Sequence, residues 1–208
     1  MGETFHRSPL ALAVLGLLED GPLHPYGIQQ LIKQWGKDQV INVGQRSTLY
    51  KMINRLCEAG LIALHGTSRD QLYPERTSYQ LTDAGRAAGR QWMAEMLSTP
   101  RNEFPEFPAA LSFLPMLTAQ QTAEYLALRR EQLIQRLAER DALLATELEG
   151  YQLPRVTMLE TEYLRAVTQA ELNWINQILA GLHDGSITWS REQLHAAVAQ
   201  LGNRSESQ

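Results

Sequence analysis

The stretch GQRSTLYKMINRLCEAGL, residues 44–61, decides how the rest of the chain folds. Its apolar residues follow the spacing i, i+3, i+4 and i+7 of one buried helix face; they are Leu49, Met52, Ile53 and Leu56. Gly60 comes just after the last turn, where a left-handed residue commonly ends a helix. The sequence therefore predicts a short helix with one face packed on a core.

The other face of this helix carries side chains suited to nucleic acid. Ser47, Tyr50, Lys51, Asn54 and Arg55 can donate to phosphates, hydrogen-bond base edges or stack on bases. Each also has a simpler interpretation, since the Tyr50 ring could pack between helices and Asn54 and Arg55 could be solvated surface. A DNA contact surface and an ordinary helix surface both remain open from this pattern alone.

The residues before this helix predict two more helices. Ser8 can cap a first helix with Pro9 at its first position, and this helix ends before Gly21 and Pro22. Pro25 and Gly27 punctuate the segment LHPYG, which is interpreted as a turn. A second helix follows this turn, and Gly36 ends it.

After residue 60 the pattern changes to short apolar runs. Residues 61–64 and 78–81 predict two strands of a β-hairpin, joined by a long polar loop. Thr82 can cap a fourth helix that passes through Trp92 and breaks at residues 98–100. Three helices, a hairpin and a fourth helix form the order of a winged helix-turn-helix.

The second half predicts a different, helical region. Prolines interrupt residues 100–117, which are interpreted as a connector with a short helix at its centre. Long helices follow Thr118 and Pro154, and Ser190 can cap a last short helix. The apolar arc of the second long helix is wider than a pair of helices can bury. It must dock on the first domain, on a second copy of the chain, or on both.

The predicted fold class is therefore mainly α, with an N-terminal winged helix-turn-helix and a C-terminal helical domain. The predicted division is residues 1–99 for the winged helix, 100–117 for the connector and 118–203 for the helical domain.

Composition and charge limit the function classes. The net charge is −4, but residues 1–99 hold 10 Lys+Arg and 9 Asp+Glu, and residues 100–208 hold 9 and 14. The acidity (−5) therefore belongs to the second half, and a local basic surface in the first half (+1) is compatible with DNA. The single cysteine, Cys57, fits a reducing compartment and is interpreted as a small buried hydrophobe rather than a redox sensor. We expect a cytoplasmic protein, because no apolar run approaches the roughly 20 residues that span a bilayer.

An enzyme has little support in this sequence. Metal-binding, nucleophile and phosphate-loop motifs are absent, and the five histidines are scattered without ligand spacing. We expect no catalytic site, no metal and no cofactor. The stronger rival is a winged helix that docks on another protein, although such a module would more often carry an apolar face where residues 47–55 are polar.

Three segments carry a family resemblance: LALAVLGLLEDGPLHPYGIQQLI in the first two helices, STLYKMINRLCEAGLI in the third, and TSYQLTDAGR from the second strand into the fourth helix. Together they cover most of residues 8–90 and resemble the PadR family of bacterial winged-helix transcription regulators. The region from Thr118 to Leu182, with Trp174, resembles the C-terminal dimerisation domain of the longer members. The chain departs from the family pattern at Lys51, where a proline is usual, and in the wing, where Asp70 and Glu75 dilute the basic residues.

The resemblance implies a homodimer that places the third helix of each subunit in a major groove of double-stranded DNA. Ser47 and Thr48 would hold a phosphate, Tyr50 and Lys51 would reach the backbone or base edges, and Asn54 would contact a base edge. Arg55 would clamp a phosphate. On the wing, Arg69 and Arg76 would follow the minor groove or the backbone. The operator would then be an inverted repeat.

The resemblance also implies a regulator, with repression favoured over activation and with release by a small-molecule effector as an option. Aromatic and methionine side chains make up a candidate effector pocket; they are Trp92, Met96, Phe113 and Trp174. A large aromatic residue at helical spacing is more often part of a core or interface, so both interpretations of these residues stay open.

Overall fold

A computed structural model describes residues 5–68, 76–190 and 192–193 of the chain. The chain divides into two compact units, Met1–Asn102 and Glu103–Gln208. The predicted fold class is confirmed: the protein is mainly helical, with a small two-stranded antiparallel sheet in the first unit.

The first unit contains four helices and the hairpin. In chain order these are α1 (Pro9–Leu17), α2 (Pro25–Gln34), α3 (Arg46–Glu58), β1 (Ile62–Ser68), β2 (Arg76–Leu81) and α4 (Asp83–Ser98). A single 3₁₀ turn, Lys37–Gln39, lies between α2 and α3. The strands are longer than predicted, and the pairing between β1 and β2 is irregular between Leu64 and Gly66.

Side-chain hydrogen bonds cap helices α1 and α4 at the residues that the sequence predicted. The backbone N–H of Ala11 donates to Ser8 Oγ over 3.2 Å at the start of α1. Thr82 Oγ1 accepts from the N–H of Gly85 over 3.0 Å and donates to the carbonyl of Gly60 over 2.8 Å. Thr82 therefore caps α4 and ties it to the end of α3.

The prediction of a turn at LHPYG is wrong. Helix α2 begins at Pro25, so Gly27 lies in its first turn. His24 acts as the cap, because its Nδ1 accepts from the N–H of Gly27 over 2.6 Å. A Cβ at residue 27 would lie 2.8 Å from this nitrogen, so the glycine makes room for the cap. Proline and glycine here serve a helix start, where proline is favoured at the first position.

The core of the first unit confirms the predicted stripe of α3. Leu49, Met52, Ile53 and Leu56 are at most 9% exposed. They pack with buried residues of the neighbouring helices; these include Leu10, Val14, Leu15, Ile28, Ile32 and Trp92. The glycines predicted to end α2 and α3 adopt the left-handed conformation, with φ of +65° at Gly36 and +68° at Gly60.

The described part of the second unit contains a short helix, α5 (Glu106–Leu111), and two long helices, α6 (Ala119–Leu144) and α7 (Leu159–His183). Thr118 and Gln121 form a reciprocal capping box at the start of α6. A π-helical turn, Ala145–Gly150, follows α6, and a 3₁₀ turn, Arg155–Met158, precedes α7. The short helix in the connector and both long helices agree with the prediction.

Helices α6 and α7 pack against each other through a small apolar seam. Its buried residues are Leu126, Leu133, Leu172, Ile175 and Leu179. Polar pairs join the same two helices: Arg129 with Glu171, Arg165 with Asp141, and Arg140 with Thr168. The wide apolar arc predicted for α7 is thus divided, since Leu172 and Ile175 are buried whereas Val167 and Trp174 are exposed.

The N–H of Gln193 donates to Ser190 Oγ, as expected for a cap. Most of the last predicted helix lies outside the described residues. Among the helices that are described, none combines the length and the apolar character needed to cross a membrane.

Candidate nucleic-acid interface

The outward face of α3 is the candidate interface. Every residue predicted on it is exposed: Ser47, Thr48, Tyr50, Lys51, Asn54 and Arg55. Because successive helix residues are rotated by about 100°, Lys51 and Asn54 lie near the middle of this face. The side chain of Gln45 does not cap α3, although the N–H of Thr48 donates to the Gln45 carbonyl over 3.1 Å. The face can therefore contact phosphates and base edges together.

The two flanks of this face meet different parts of the unit. Tyr50 is half exposed. Its phenol and the Cys57 thiol both interact electrostatically with Tyr79 of β2. The pKa of the Tyr79 phenol is raised, mainly by burial and to a smaller extent by Cys57 and Tyr50. On the opposite flank, the Arg55 guanidinium carbon lies 5.1 Å from the centre of the Phe5 ring. The wing and the N-terminal segment thus border the candidate interface.

The wing carries the remaining predicted DNA contacts. Arg69 lies outside the described residues, and Arg76 begins β2 with a side chain that is also outside them. Nearer the base of the hairpin, His65 Nδ1 and Gln80 Oε1 are 2.8 Å apart across the strands. A second cross-strand bond runs from Ser78 Oγ to the carbonyl of Gly66. These bonds brace the part of the hairpin that leads to the predicted arginines.

Helix α2 also has a polar face, which was not predicted from the sequence. Tyr26, Gln30 and Lys33 are exposed and line an open groove of about 610 Å³ that extends to Gly44, next to the start of α3. Gln29 is buried beneath them, and its Nε2 donates to the carbonyl of Val43 over 3.3 Å. This bond fixes α2 to the segment that leads into α3. The spacing i, i+4 and i+7 of the three exposed residues was the available signal.

The residues proposed for an effector pocket have different surroundings. Trp92 is 7% exposed and stacks on Phe5, with ring centres 5.5 Å apart and planes 17° apart. Met96, on the same helix, is half-buried. In the second unit, Phe113 is exposed, and Trp174 makes an edge contact with Phe107 over 6.0 Å. A pocket formed by these residues stays a prediction.

Cys57 lies between the buried and exposed faces of α3 and is half-buried. Burial, and to a smaller extent the charge of Glu58, raises the pKa of its thiol. The neutral thiol is therefore favoured, as expected for a packing residue. Within the described part of the chain, no three His, Cys, Asp or Glu side chains are arranged to hold a metal ion.

Comparison with known proteins assigns the first unit to a family. Residues 14–91, from α1 into α4, match the transcriptional regulator PadR-like family. The first unit therefore contains a PadR-like domain. No curated protein matches the chain at a significant level.

Several solved structures share the fold of this chain. Bacillus subtilis PadR in complex with operator DNA has a TM-score of 0.70 and 21% identity, covering 86% of this chain and 99% of that one. The same protein in complex with p-coumaric acid has a TM-score of 0.61 and 22% identity, with 84% and 98% covered. The Vibrio cholerae virulence activator AphA has a TM-score of 0.62 and 21% identity, also with 84% and 98% covered. The similarity to these solved structures therefore includes residues of both units.

Proposed function

We propose that this PadR-like protein is a sequence-specific DNA-binding transcriptional regulator that binds an inverted-repeat operator as a homodimer. The observation that carries the proposal is α3: four apolar residues fix one face in the core, and the opposite face exposes only polar and aromatic side chains at the predicted contact positions. A helix fixed in this way can enter a major groove without losing its packing.

Each polar side chain of α3 has a role in this proposal. Ser47 and Thr48, in the first turn, hold a phosphate through hydroxyl and backbone N–H groups. Lys51 and Tyr50 reach the backbone or base edges, and Asn54 contacts a base edge, where its amide can pair with adenine. Arg55 clamps a phosphate. That a protein of the same fold has been solved with operator DNA supports this arrangement.

Helix α2 and the wing position α3 on the duplex. In helix-turn-helix proteins the helix before the recognition helix crosses the DNA backbone. The exposed residues Tyr26, Gln30 and Lys33 are suited to this contact, and the bond from Gln29 holds their helix against the start of α3. Arg69 and Arg76 on the wing would follow the adjacent minor groove or the backbone.

The exposed apolar surface of α7 supports a homodimer. Leu159, Tyr163, Val167 and Trp174 follow the spacing i, i+4, i+8 and i+15 along one stripe and are 37% to 68% exposed. A stripe of this kind on a long helix is suited to pack on its counterpart in a second copy. A two-fold dimer would read two half-sites about one helical turn, roughly 10 bp, or a multiple of it apart.

Repression is the simplest action of such a dimer, because an occupied operator blocks polymerase. Activation is the alternative, because AphA, a protein of the same fold, is a virulence activator. Release by a small-molecule effector is part of the proposal, supported by the structure of Bacillus subtilis PadR with p-coumaric acid. Trp92 and Met96 in the first unit, and Phe113 and Trp174 in the second, are its candidate residues.

The proposal is tested by binding of the purified protein to labelled DNA from the region upstream of its own gene, beside an unrelated fragment, at low and moderate salt. We expect selective binding that weakens steeply with salt. Lys51→Ala should reduce the log–log salt slope by about one unit, the loss of one phosphate contact. Arg136→Ala, which removes a charge from exposed surface of α6, should leave the slope unchanged.

If the protein binds both fragments equally and weakly, the next experiment is to let it select duplexes from a random pool. Failure to enrich any sequence would contradict the proposal and favour a winged helix that docks on a protein.

A further inference from the structure

Residues 5–8, the described part of the N-terminal segment before α1, contact both α4 and the flank of α3. The Phe5 ring stacks on Trp92, and the Arg55 guanidinium lies over the same Phe5 ring. Neither contact belongs to the helical patterns that define the fold, since Phe5 precedes the cap of α1. The segment therefore links a buried aromatic residue of the core to a predicted DNA contact.

Two contacts hold this segment on α4. In addition to the Phe5 stack, Arg7 forms an ion pair with Glu95, and the Arg7 side chain is only 11% exposed. Trp92 and Glu95 are three residues apart and so share one face of α4. The segment is thus fixed at two points on one helix, and the position of the Phe5 ring beside α3 follows from this attachment.

We propose that Phe5 is a positioning residue that holds Arg55 ready to bind a DNA phosphate. This inference rests on the proposed function. A guanidinium is planar, so its face can lie on an aromatic ring while its N–H edge remains free to donate. Arginine has many rotamers, and a side chain already restricted by the ring loses less conformational freedom when it binds. The Phe5 ring thus increases DNA affinity without touching DNA.

Phe5→Leu is the most informative variant. Leucine keeps apolar bulk against Trp92 but has no aromatic face for the guanidinium. The probe is a labelled duplex that the wild-type protein has selected from a random pool. We expect Phe5→Leu to weaken binding about two- to fivefold, because the Arg55 side chain would then lose more conformational freedom when it binds. Phe5→Tyr keeps the ring and should bind like the wild type.

A double-mutant cycle separates positioning from a structural role. Arg55→Ala should weaken binding, and Phe5→Leu should add nothing further in the Arg55→Ala background, because the ring acts through Arg55. Thermal unfolding of each variant identifies any loss of folded protein. Phe5→Leu binding like the wild type, or causing the same loss with and without Arg55, would overturn the role of Phe5 while the proposed function stands. A wild-type protein that selects no duplex would overturn the proposed function and this role with it.

Discussion

The two units of the chain differ in the number of apolar residues that they bury in their own cores. Among the residues that the structure describes, the first unit gathers fourteen buried apolar residues from four helices and the hairpin into one core. The second unit gathers five between α6 and α7, and leaves residues such as Leu128, Tyr163 and Val167 exposed. The first unit can therefore fold around its own core and expose a polar helix, whereas the second presents apolar surface that a partner can cover.

The charge of the two regions follows the same contrast. Residues 1–99 carry +1 and residues 100–208 carry −5, from the counts of basic and acidic side chains. Attraction to phosphates is a property of local surface, so the near-neutral first unit can approach DNA while the acidic second region does not compete for it. The fold thus separates the surface proposed for DNA from the surface proposed for dimerisation.

Gly85→Ala should have the largest effect, because it breaks the closed packing of the first unit. A Cβ at residue 85 would lie 1.9 Å from the carbonyl oxygen of Leu61, which is backbone and cannot rotate away. Moving the start of α4 would also disturb the cap at Thr82. We expect a loss of about 3 kcal/mol or more in the free energy of unfolding, measured by urea denaturation.

Gly89→Ala is the matched control, one turn further along α4. Its Cβ would meet Leu15 Cδ1 at 3.7 Å, an ordinary contact. Alanine favours a helix over glycine by up to about 1 kcal/mol, so this variant should be as stable as the wild type or slightly more stable. Equal effects of the two substitutions would contradict the close approach of α4 to the chain at Leu61.

Local signals explain how much of this arrangement the sequence could predict. The stripe of α3, the caps at Ser8 and Thr82, and the turn at Gly60 depend on residues a few positions apart, and all four agree with the structure. Pro25 and Gly27 were interpreted as part of a turn because proline and glycine signal both turns and helix starts. Only the hydrogen bond of His24 separates the two cases.

Contacts between distant residues could not be predicted in the same way. Phe5 meets Trp92 and Arg55, which are 87 and 50 positions away, and no periodic pattern marks it. The division of α7 into a buried and an exposed stripe also depends on which face meets α6. Its wide apolar arc indicated a need for partners but not which residues each partner would cover.

The double substitution Tyr163→Glu with Val167→Glu should have the next largest effect, on assembly rather than on folding. Both side chains are exposed on the apolar stripe of α7, so the first unit and the seam between α6 and α7 should stay intact. In a dimer that packs through this stripe, the two added charges of one copy would face and repel those of the other. We expect the sedimentation coefficient to change to that of a monomer, with a corresponding loss of operator affinity.

Asn176→Glu adds charge to another exposed position of α7 and serves as the control, with no expected change in sedimentation. Unchanged assembly in the double variant would show that the stripe is not the dimer surface. The exposed apolar surface of the second unit would then need a partner other than a second copy of this chain packed through the stripe.

The smallest expected effect is on the alkylation rate of the Cys57 thiol. This rate reports how well the packing of the first unit shields the thiol from solvent. Burial raises its pKa, so the neutral thiol is favoured and the thiolate fraction at pH 8 is lower than for a free cysteine. Alkylation by iodoacetamide should therefore be slower than for N-acetylcysteine and should reach its half-maximal rate at a higher pH. Urea should remove the difference. A Cys57→Ser, Ala138→Cys variant places the thiol on exposed surface of α6 and should react at close to the free rate. If Cys57 instead reacts as fast as the free thiol below pH 8, the flank of α3 beside Tyr79 opens readily, and the first unit is less closed than its core indicates.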